Sequence, residues 1–184
     1  MRVRAEIPME TPTPKELLTR FAATISKGPL GLIDHAPEPW AQLGYCIGNV
    51  LEKVRRDRGA AIYGWVFLDR LSPEYGPYLI AQHHAVWQPT GSTTPVDITP
   101  FHDDPKHRPY APQGKVLFLV DVAAPPKTLG NAVGPQPSRF FPMTDDPKLA
   151  AYLAQKTAQE LIQSQQTFEG ALVLASQPTS GRAN

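Results

Sequence analysis

Apolar residues recur three and four positions apart in two segments of the chain, a spacing that is typical of amphipathic helices. The first helix is predicted to begin at Thr13, where a threonine, a proline and a glutamate form a capping box, and to end before Gly28. Its apolar stripe comprises Leu17, Leu18, Phe21 and Ile25. The second helix spans about residues 45–58 and ends at Gly59, after basic residues that suit the carbonyl end of a helix dipole. Its stripe comprises Ile47, Val50, Leu51 and Val54. A third helix is predicted to begin at Asp146.

Between the second and third helices the pattern changes to short runs of aromatic and β-branched residues, which favour strands. These runs are residues 61–68, 78–87, 96–99 and 115–122, and a last short strand is predicted at 171–175. Residues 28–40 and 123–142 are rich in proline and glycine and are predicted to be loops. Because helices and strands do not alternate regularly, the order predicts an α+β domain with an antiparallel sheet.

Composition narrows the class of protein. The chain has 184 residues, which suits one domain over 1–184, with a loose arm at 1–12 and a frayed tail at 176–184. The net charge of +1 gives no basic field for nucleic acid or a membrane surface. No apolar run approaches the ~20 residues of a membrane helix, and the first residues lack the apolar region of a secretory signal. We therefore expect a cytoplasmic protein with no nucleic-acid or membrane partner.

The candidate chemistry centres on Cys46, the only cysteine, which rules out an intramolecular disulfide and a multi-cysteine zinc site. Its place at a helix start favours the thiolate, and an imidazolium from His84 would favour it further. Asp97 follows 13 residues after His84, so a short hairpin could bring both side chains to one face, where the carboxylate would orient the imidazole. The backbone N–H of Cys46 could stabilise an oxyanion, with Gln42 or Asn49 as a side-chain donor.

Each of these residues also has a purely structural interpretation. Cys46 could be a small packed hydrophobe, and Asp97 could cap a turn. Asn49 could bind backbone groups near the helix start. The adjacent His83 would face the opposite side of a regular strand from His84, and either histidine could be the partner of the cysteine.

The amino-acid sequence around these residues resembles that of the transglutaminase-like branch of the papain-like cysteine enzyme superfamily. The segment HAVW at 84–87 is similar to the family's His-Ala-Trp strand, and VDITP at 96–100 is similar to its Asp-Pro-Thr strand. The segment GYCIGN at 44–49 also resembles the cysteine motif of arylamine N-acetyltransferases. This resemblance implies a papain-like fold in which the cysteine-bearing helix packs on an antiparallel sheet beside N- and C-terminal helices.

The resemblance also implies an activity. Cys46 would act as the nucleophile, His84 as the base, and Asp97 as the carboxylate that orients His84. Trp87 becomes a further candidate for positioning the substrate. The reaction would be acyl transfer, or amide or peptide hydrolysis, through a thioester, with no metal or cofactor. Its substrate would be a peptide, a protein side-chain amide or a small acyl compound. The alternative is a non-catalytic module on the same scaffold that binds a peptide or a small ligand.

A second cluster of polar residues has side chains of the kinds that ligate metal ions: His102, Asp103, Asp104 and His107. Pro105 and Pro109 interrupt the helix that would align these ligands, so we expect solvated charges and no metal. The sequence leaves open the acyl donor and acceptor, the choice between hydrolysis and transfer, the oligomeric state and the role of residues 123–142.

Overall fold

The computed structural model describes residues 14–129 and 132–176. Its α-helices are α1 (Pro14–Ile25), α2 (Cys46–Asp57) and α3 (Pro147–Ser176). All three predicted helices are confirmed, but residues 171–175 continue α3 and do not form the predicted strand. A short apolar run has no periodicity that separates strand from helix, and this one follows a helix without a break. None of the described helices is both long and apolar enough to span a bilayer. The predicted arm at 1–12 and tail residues 177–184 lie outside the described residues.

Eight strands lie in the described part of the chain. They are β1 (Leu30–His35), β2 (Ala60–Ser72), β3 (Gly76–Gln88), β4 (Val96–Asp97), β5 (Lys115–Val120), β6 (Lys127–Leu129), β7 (Ala132–Gly134) and β8 (Arg139–Pro142). The four predicted internal strands are confirmed as β2, β3, β4 and β5. The loops predicted at 28–40 and 123–142 are wrong in part, because the first contains β1 and the second contains β6, β7 and β8.

Six of the described strands form one sheet in the order β2-β5-β1-β4-β3-β8. Because β2 also pairs with β3, the first five strands close into a ring. The sheet is mixed, since β1 runs parallel to β4, and the prediction of an antiparallel sheet is wrong at this point. The chain makes α2 and the β2–β3 hairpin between these two strands, a connection that permits parallel pairing.

The second edge of β3 is shared by two short strands. Residues 78–81 pair with β8, and Trp87 pairs with Val96 of β4. Residues 82–86 therefore have a ladder partner only on the β2 side among the described strands. This opening in the pairing leaves backbone groups of β3 accessible to another element.

Side-chain alternation divides the hairpin into an inward and an outward face. Inside the ring, apolar residues of four strands form a core: Ile33, Val66, Val86, Val116 and Phe118. On the outward face, α1 buries Phe21 against Trp65 and Phe67, and α2 buries Val50 against Ala85. His84 shares the inward parity of Val86, whereas His83 shares the outward parity of Ala85. The fold therefore separates the two adjacent histidines.

The close approach of β5 to β2 gives a test of this packing. Gly64→Ala is expected to lower the free energy of unfolding by about 3 kcal/mol. A Cβ at this position would lie 2.0 Å from the carbonyl oxygen of Leu119 and 2.8 Å from the Phe118 ring. Gly31→Ala, a change in β1 whose Cβ would meet no atom within 4 Å, is the matched control and should be nearly neutral. Urea denaturation measures both, and equal stabilities would contradict the packing.

Candidate active site

Cys46 is the first residue of α2, and its thiol lies at the opening in the pairing of β3. Ile47 and Val50 anchor the helix on the outward face of the ring. The His84 ring and the backbone N–H of Ala85 both lie within interaction range of the thiol. The helix start thus brings the cysteine to residues 82–86, the stretch of β3 between its pairings with β8 and β4.

His84 and Asp97 face each other from neighbouring strands. His84 Nε2 lies 3.0 Å from Asp97 Oδ2, and Asp97 is fully buried. The contact is short but bent away from ideal hydrogen-bond geometry, and neither atom has another partner. Asp97 Oδ1 accepts a hydrogen bond from the Thr99 backbone N–H at 3.0 Å, which holds the carboxylate in place. The structure therefore brings together the three residues predicted as a triad.

The surroundings shift the pKa values of the thiol and the imidazole in opposite directions. Burial alone would raise the pKa of Cys46. The His84 charge and hydrogen bonds from the His84 ring and the Ala85 N–H outweigh burial and lower that pKa. Burial opposes the charged form of His84, but the charges of Asp97 and Cys46 raise its pKa well above the usual value. The pair therefore favours a thiolate beside an imidazolium, which is the reactive form of a cysteine nucleophile.

His83 occupies a different environment from its neighbour. Its Nε2 lies 2.8 Å from the carbonyl oxygen of Ala124, so this nitrogen carries the proton and donates. Its ring packs edge-on against Trp65, and burial lowers its pKa. The ring beside the thiol is that of His84, while His83 joins β3 to the segment that follows β5.

Asn49 has its side chain engaged in the scaffold. Its Oδ1 accepts the Gln42 N–H at 2.9 Å, and its Nδ2 donates to the Gln42 carbonyl at 2.8 Å and to Thr99 Oγ1 at 3.2 Å. Both amide hydrogens are used, which favours the backbone-binding role over that of an oxyanion donor. Through Thr99, this amide connects the loop before α2 to Asp97.

Gln42 and Trp87 are not among the residues that line the cleft described below. The Gln42 side chain is exposed. Trp87 donates from Nε1 to the Arg58 carbonyl at 2.8 Å, and the Lys53 ammonium lies 4.7 Å from its ring centroid. Trp87 therefore supports α2 from the outward face, and its role in positioning a substrate stays a prediction.

Cys46 and His84 line a cleft of about 1030 Å³. Its floor is formed by residues 66, 68 and 70 of β2 and by residues 82–84 of β3, so His83 borders the cleft as well as His84. One wall consists of residues 99–109, and the other consists of residues 133–138 together with Glu160 of α3. Neither Arg70 nor Glu160 was predicted from the sequence, although Arg70 has the same strand parity as the inward-facing residues of β2.

Three exposed apolar side chains line this cleft. Leu43, Tyr45 and Leu51 are 55%, 61% and 42% exposed, and all three line it. The Tyr45 ring lies against the backbone of α2 at Gly48, where a Cβ atom would come within 2.0 Å of the ring. We call Leu43, Tyr45 and Leu51 the apolar rim. Such a concentration of exposed apolar groups is typical of a binding site.

His102 and His107 also line the cleft, and their rings lie 5.0 Å apart. Asp104 Oδ2 instead pairs with Lys106 Nζ at 2.8 Å. Among the described residues, no group of three or more His, Cys, Asp or Glu side chains is arranged to hold a metal ion.

The pKa shifts predict how alkylation of Cys46 depends on pH. Iodoacetamide should react with the native thiol at an appreciable fraction of its maximal rate at about pH 7, where a free cysteine with a pKa of ~8.5 is mostly protonated. His84→Ala removes the lowering charge and leaves burial, so the midpoint should move above that of a free thiol. His107→Ala, which removes another imidazole of the cleft, should leave the midpoint unchanged. A native midpoint at or above the free-thiol value would contradict the ion pair.

The role of Asn49 can be tested through stability. Asn49→Ala leaves the Gln42 backbone groups and the Thr99 hydroxyl without their partner, and we expect a loss of about 3 kcal/mol in unfolding free energy. Gln42→Ala keeps the same backbone bonds and should be nearly neutral. Chemical denaturation measures both variants. An Asn49→Ala protein of native stability would return Asn49 to the candidates for an oxyanion donor.

Comparisons with known proteins found no match for this chain. No family model, no curated protein and no solved structure matches the chain significantly. The resemblance over residues 44–100 therefore stays a prediction, and the site rests on its own chemistry.

Proposed function

We propose that this protein is a cysteine-dependent enzyme that transfers an acyl group through a thioester, either to water or to an amine. The observation that carries the proposal is the alignment of the Cys46 thiol, the His84 ring and the buried Asp97 carboxylate beside an open cleft. Its substrate class is a peptide, a protein side-chain amide or a small acyl compound. We also propose that the fold is papain-like, of the transglutaminase-like branch, because the cysteine-bearing helix packs against the strands of the other two residues.

In the first half of the reaction, Cys46 Sγ attacks the carbonyl carbon and forms a carbon–sulfur bond. Negative charge develops on the carbonyl oxygen, and the backbone N–H groups at the start of α2 are suited to stabilise it. The carbon–nitrogen bond then breaks, and the leaving amine takes the proton from the His84 imidazolium. The products are a free amine and a thioester on Cys46.

In the second half, His84 takes a proton from the incoming water or amine as that group attacks the thioester carbon. The carbon–sulfur bond breaks and Cys46 leaves as the thiolate, which returns the site to its starting charge state. Asp97 keeps the His84 ring oriented and stabilises its positive charge in both halves. No step needs an oxidant, a metal or an organic cofactor.

A non-catalytic binding module is the second candidate, and the exposed apolar rim favours it. A rim of this kind would bind a ligand whether or not the thiol reacts. The two functions differ in the state of Cys46, since a thiol that serves only packing has no reason to be lowered in pKa and should resist alkylation until unfolding.

Cys46→Ala is expected to reduce turnover of activated amide and thioester substrates by about 10³-fold or more, because the attacking atom is lost. Asp97→Asn should reduce turnover less and retain the thiol. Steady-state rates measure both effects, and thermal unfolding of each variant shows whether the fold persists. Native turnover by a folded Cys46→Ala protein would refute the proposal.

The covalent intermediate gives an independent test. Rapid quenching of the native protein with a thioester substrate at low pH should show an added acyl mass on the peptide that contains Cys46. Addition of hydroxylamine should remove that mass, because hydroxylamine cleaves thioesters. The Cys46→Ser variant is the control for oxygen-linked acylation. Turnover without any detectable adduct in the native or serine protein would argue against covalent catalysis at this position.

A further inference from the structure

The cleft extends well beyond the thiol along β2. Val66, Leu68 and Arg70 alternate with outward-facing residues and line the cleft in succession. Gly64 pairs with His84, so Arg70 lies six residues farther along the strand than the catalytic level. At about 3.3 Å per residue, this is a distance of about 20 Å. The cleft is therefore a groove with the nucleophile near one end and a guanidinium near the other.

Both walls of this groove are fastened to the rest of the fold. On one side, the Tyr110 N–H donates to the Phe67 carbonyl at 2.7 Å and holds the 99–109 wall against β2. On the other side, Glu160 Oε1 accepts hydrogen bonds from the Ser138 N–H and Oγ at 3.1 and 2.8 Å. The groove is thus built into the folded chain.

Arg70 is the cation that this groove presents without a protein counterion. Its guanidinium donates to the Asp69 carbonyl at 2.8 Å and has no carboxylate partner among the described residues. The Asp69 side chain has the opposite strand parity and is exposed on the other face. The carboxylate of Glu160, which lines the same groove, accepts hydrogen bonds from two Ser138 donors.

A histidine of the 99–109 wall is a second donor in the groove. His102 Nδ1 accepts the Asp104 N–H at 3.0 Å, so its Nε2 is the nitrogen that carries the proton in the neutral ring. His102 is exposed and lines the same groove as Arg70. The groove therefore offers donors to an anion at Arg70 and at His102, whereas Val66 and Leu68, between Arg70 and the catalytic level, offer only apolar contact.

We propose that the substrate is an extended chain that carries a carboxylate, and that Arg70 binds this carboxylate as a specificity-determining residue. This inference rests on the proposed function. A guanidinium forms paired hydrogen bonds with a carboxylate, a geometry that no other side chain reproduces. The distance from the catalytic level to Arg70 corresponds to about six residues of extended chain, and the lengths of the arginine side chain and of a substrate glutamate reduce this to about four to six. A small acyl compound would leave Arg70 without a ligand.

Peptides that carry a thiol-reactive group test this assignment with a defined register. One series ends in a chloromethyl ketone, so that the chain occupies the acyl side of the reacting carbon. A second series begins with a chloroacetyl group, so that the chain runs to the leaving-group side. Each peptide carries one glutamate at two to eight residues from the reactive carbon, or glutamine at the same place. The second-order rate constant for alkylation of Cys46 is measured by intact mass.

In one of the two series, glutamate four to six residues from the reactive carbon should accelerate alkylation about tenfold over glutamine. Arg70→Met should abolish this advantage, and Arg70→Lys should keep part of it, because the charge remains while the paired donors are lost. Arg20→Met, which removes an exposed arginine of α1, is the charge-matched control and should behave as the native protein.

Iodoacetamide, measured in parallel, separates the two proposals. Rapid alkylation by iodoacetamide at mildly acidic pH, together with equal rates for glutamate and glutamine peptides in both series, would overturn the role of Arg70 and leave the proposed function standing. Slow alkylation by iodoacetamide at every pH would overturn the proposed function, and the substrate assignment with it. The comparison of glutamate with glutamine uses the native protein, so it does not depend on how the Arg70 variants fold.

Discussion

The buried carboxylate of Asp97 is the constraint on which the candidate site depends. A charge without access to water is costly unless opposite charge and hydrogen bonds compensate it. Here the compensation comes from the His84 ring at 3.0 Å and from the Thr99 N–H. These partners lie on different segments, so the carboxylate is tolerated only when β3, β4 and the start of the following loop are all in place.

Hydrogen bonds also connect the Asp97 carboxylate to the loop that precedes the cysteine-bearing helix. Thr99 donates to Asp97 through its backbone and accepts from Asn49 through its hydroxyl, and Asn49 in turn holds both backbone groups of Gln42. The loop that leads into α2 is thereby tied to the strand that orients His84. Preorganisation of this kind reduces the cost of aligning a nucleophile and its base at the moment of reaction.

The local pattern of apolar and polar residues was sufficient to predict those elements whose own residues have helical or strand periodicity. The apolar stripes of α1 and α2 and the aromatic runs of β2 and β3 were predicted with small boundary errors. β1 and β8 were missed because each lies in a proline- and glycine-rich stretch and acquires its hydrogen bonds from distant strands, β5 and β3. The parallel pairing of β1 with β4 was beyond local analysis for the same reason.

For the site, the sequence by itself determined the types of the reacting groups and their order: one cysteine at a helix start, followed by histidine and aspartate on successive strands. Strand alternation also indicated that only one of the adjacent histidines could face the cysteine. The resemblance favoured His84 as this histidine, but tertiary structure alone placed the His84 ring beside the thiol, because that contact depends on which face the ring of strands closes around. It also decided that Trp87 supports α2 from outside and that Arg70 lines the groove. Such assignments follow from contacts between residues far apart in the chain, which no local spacing encodes.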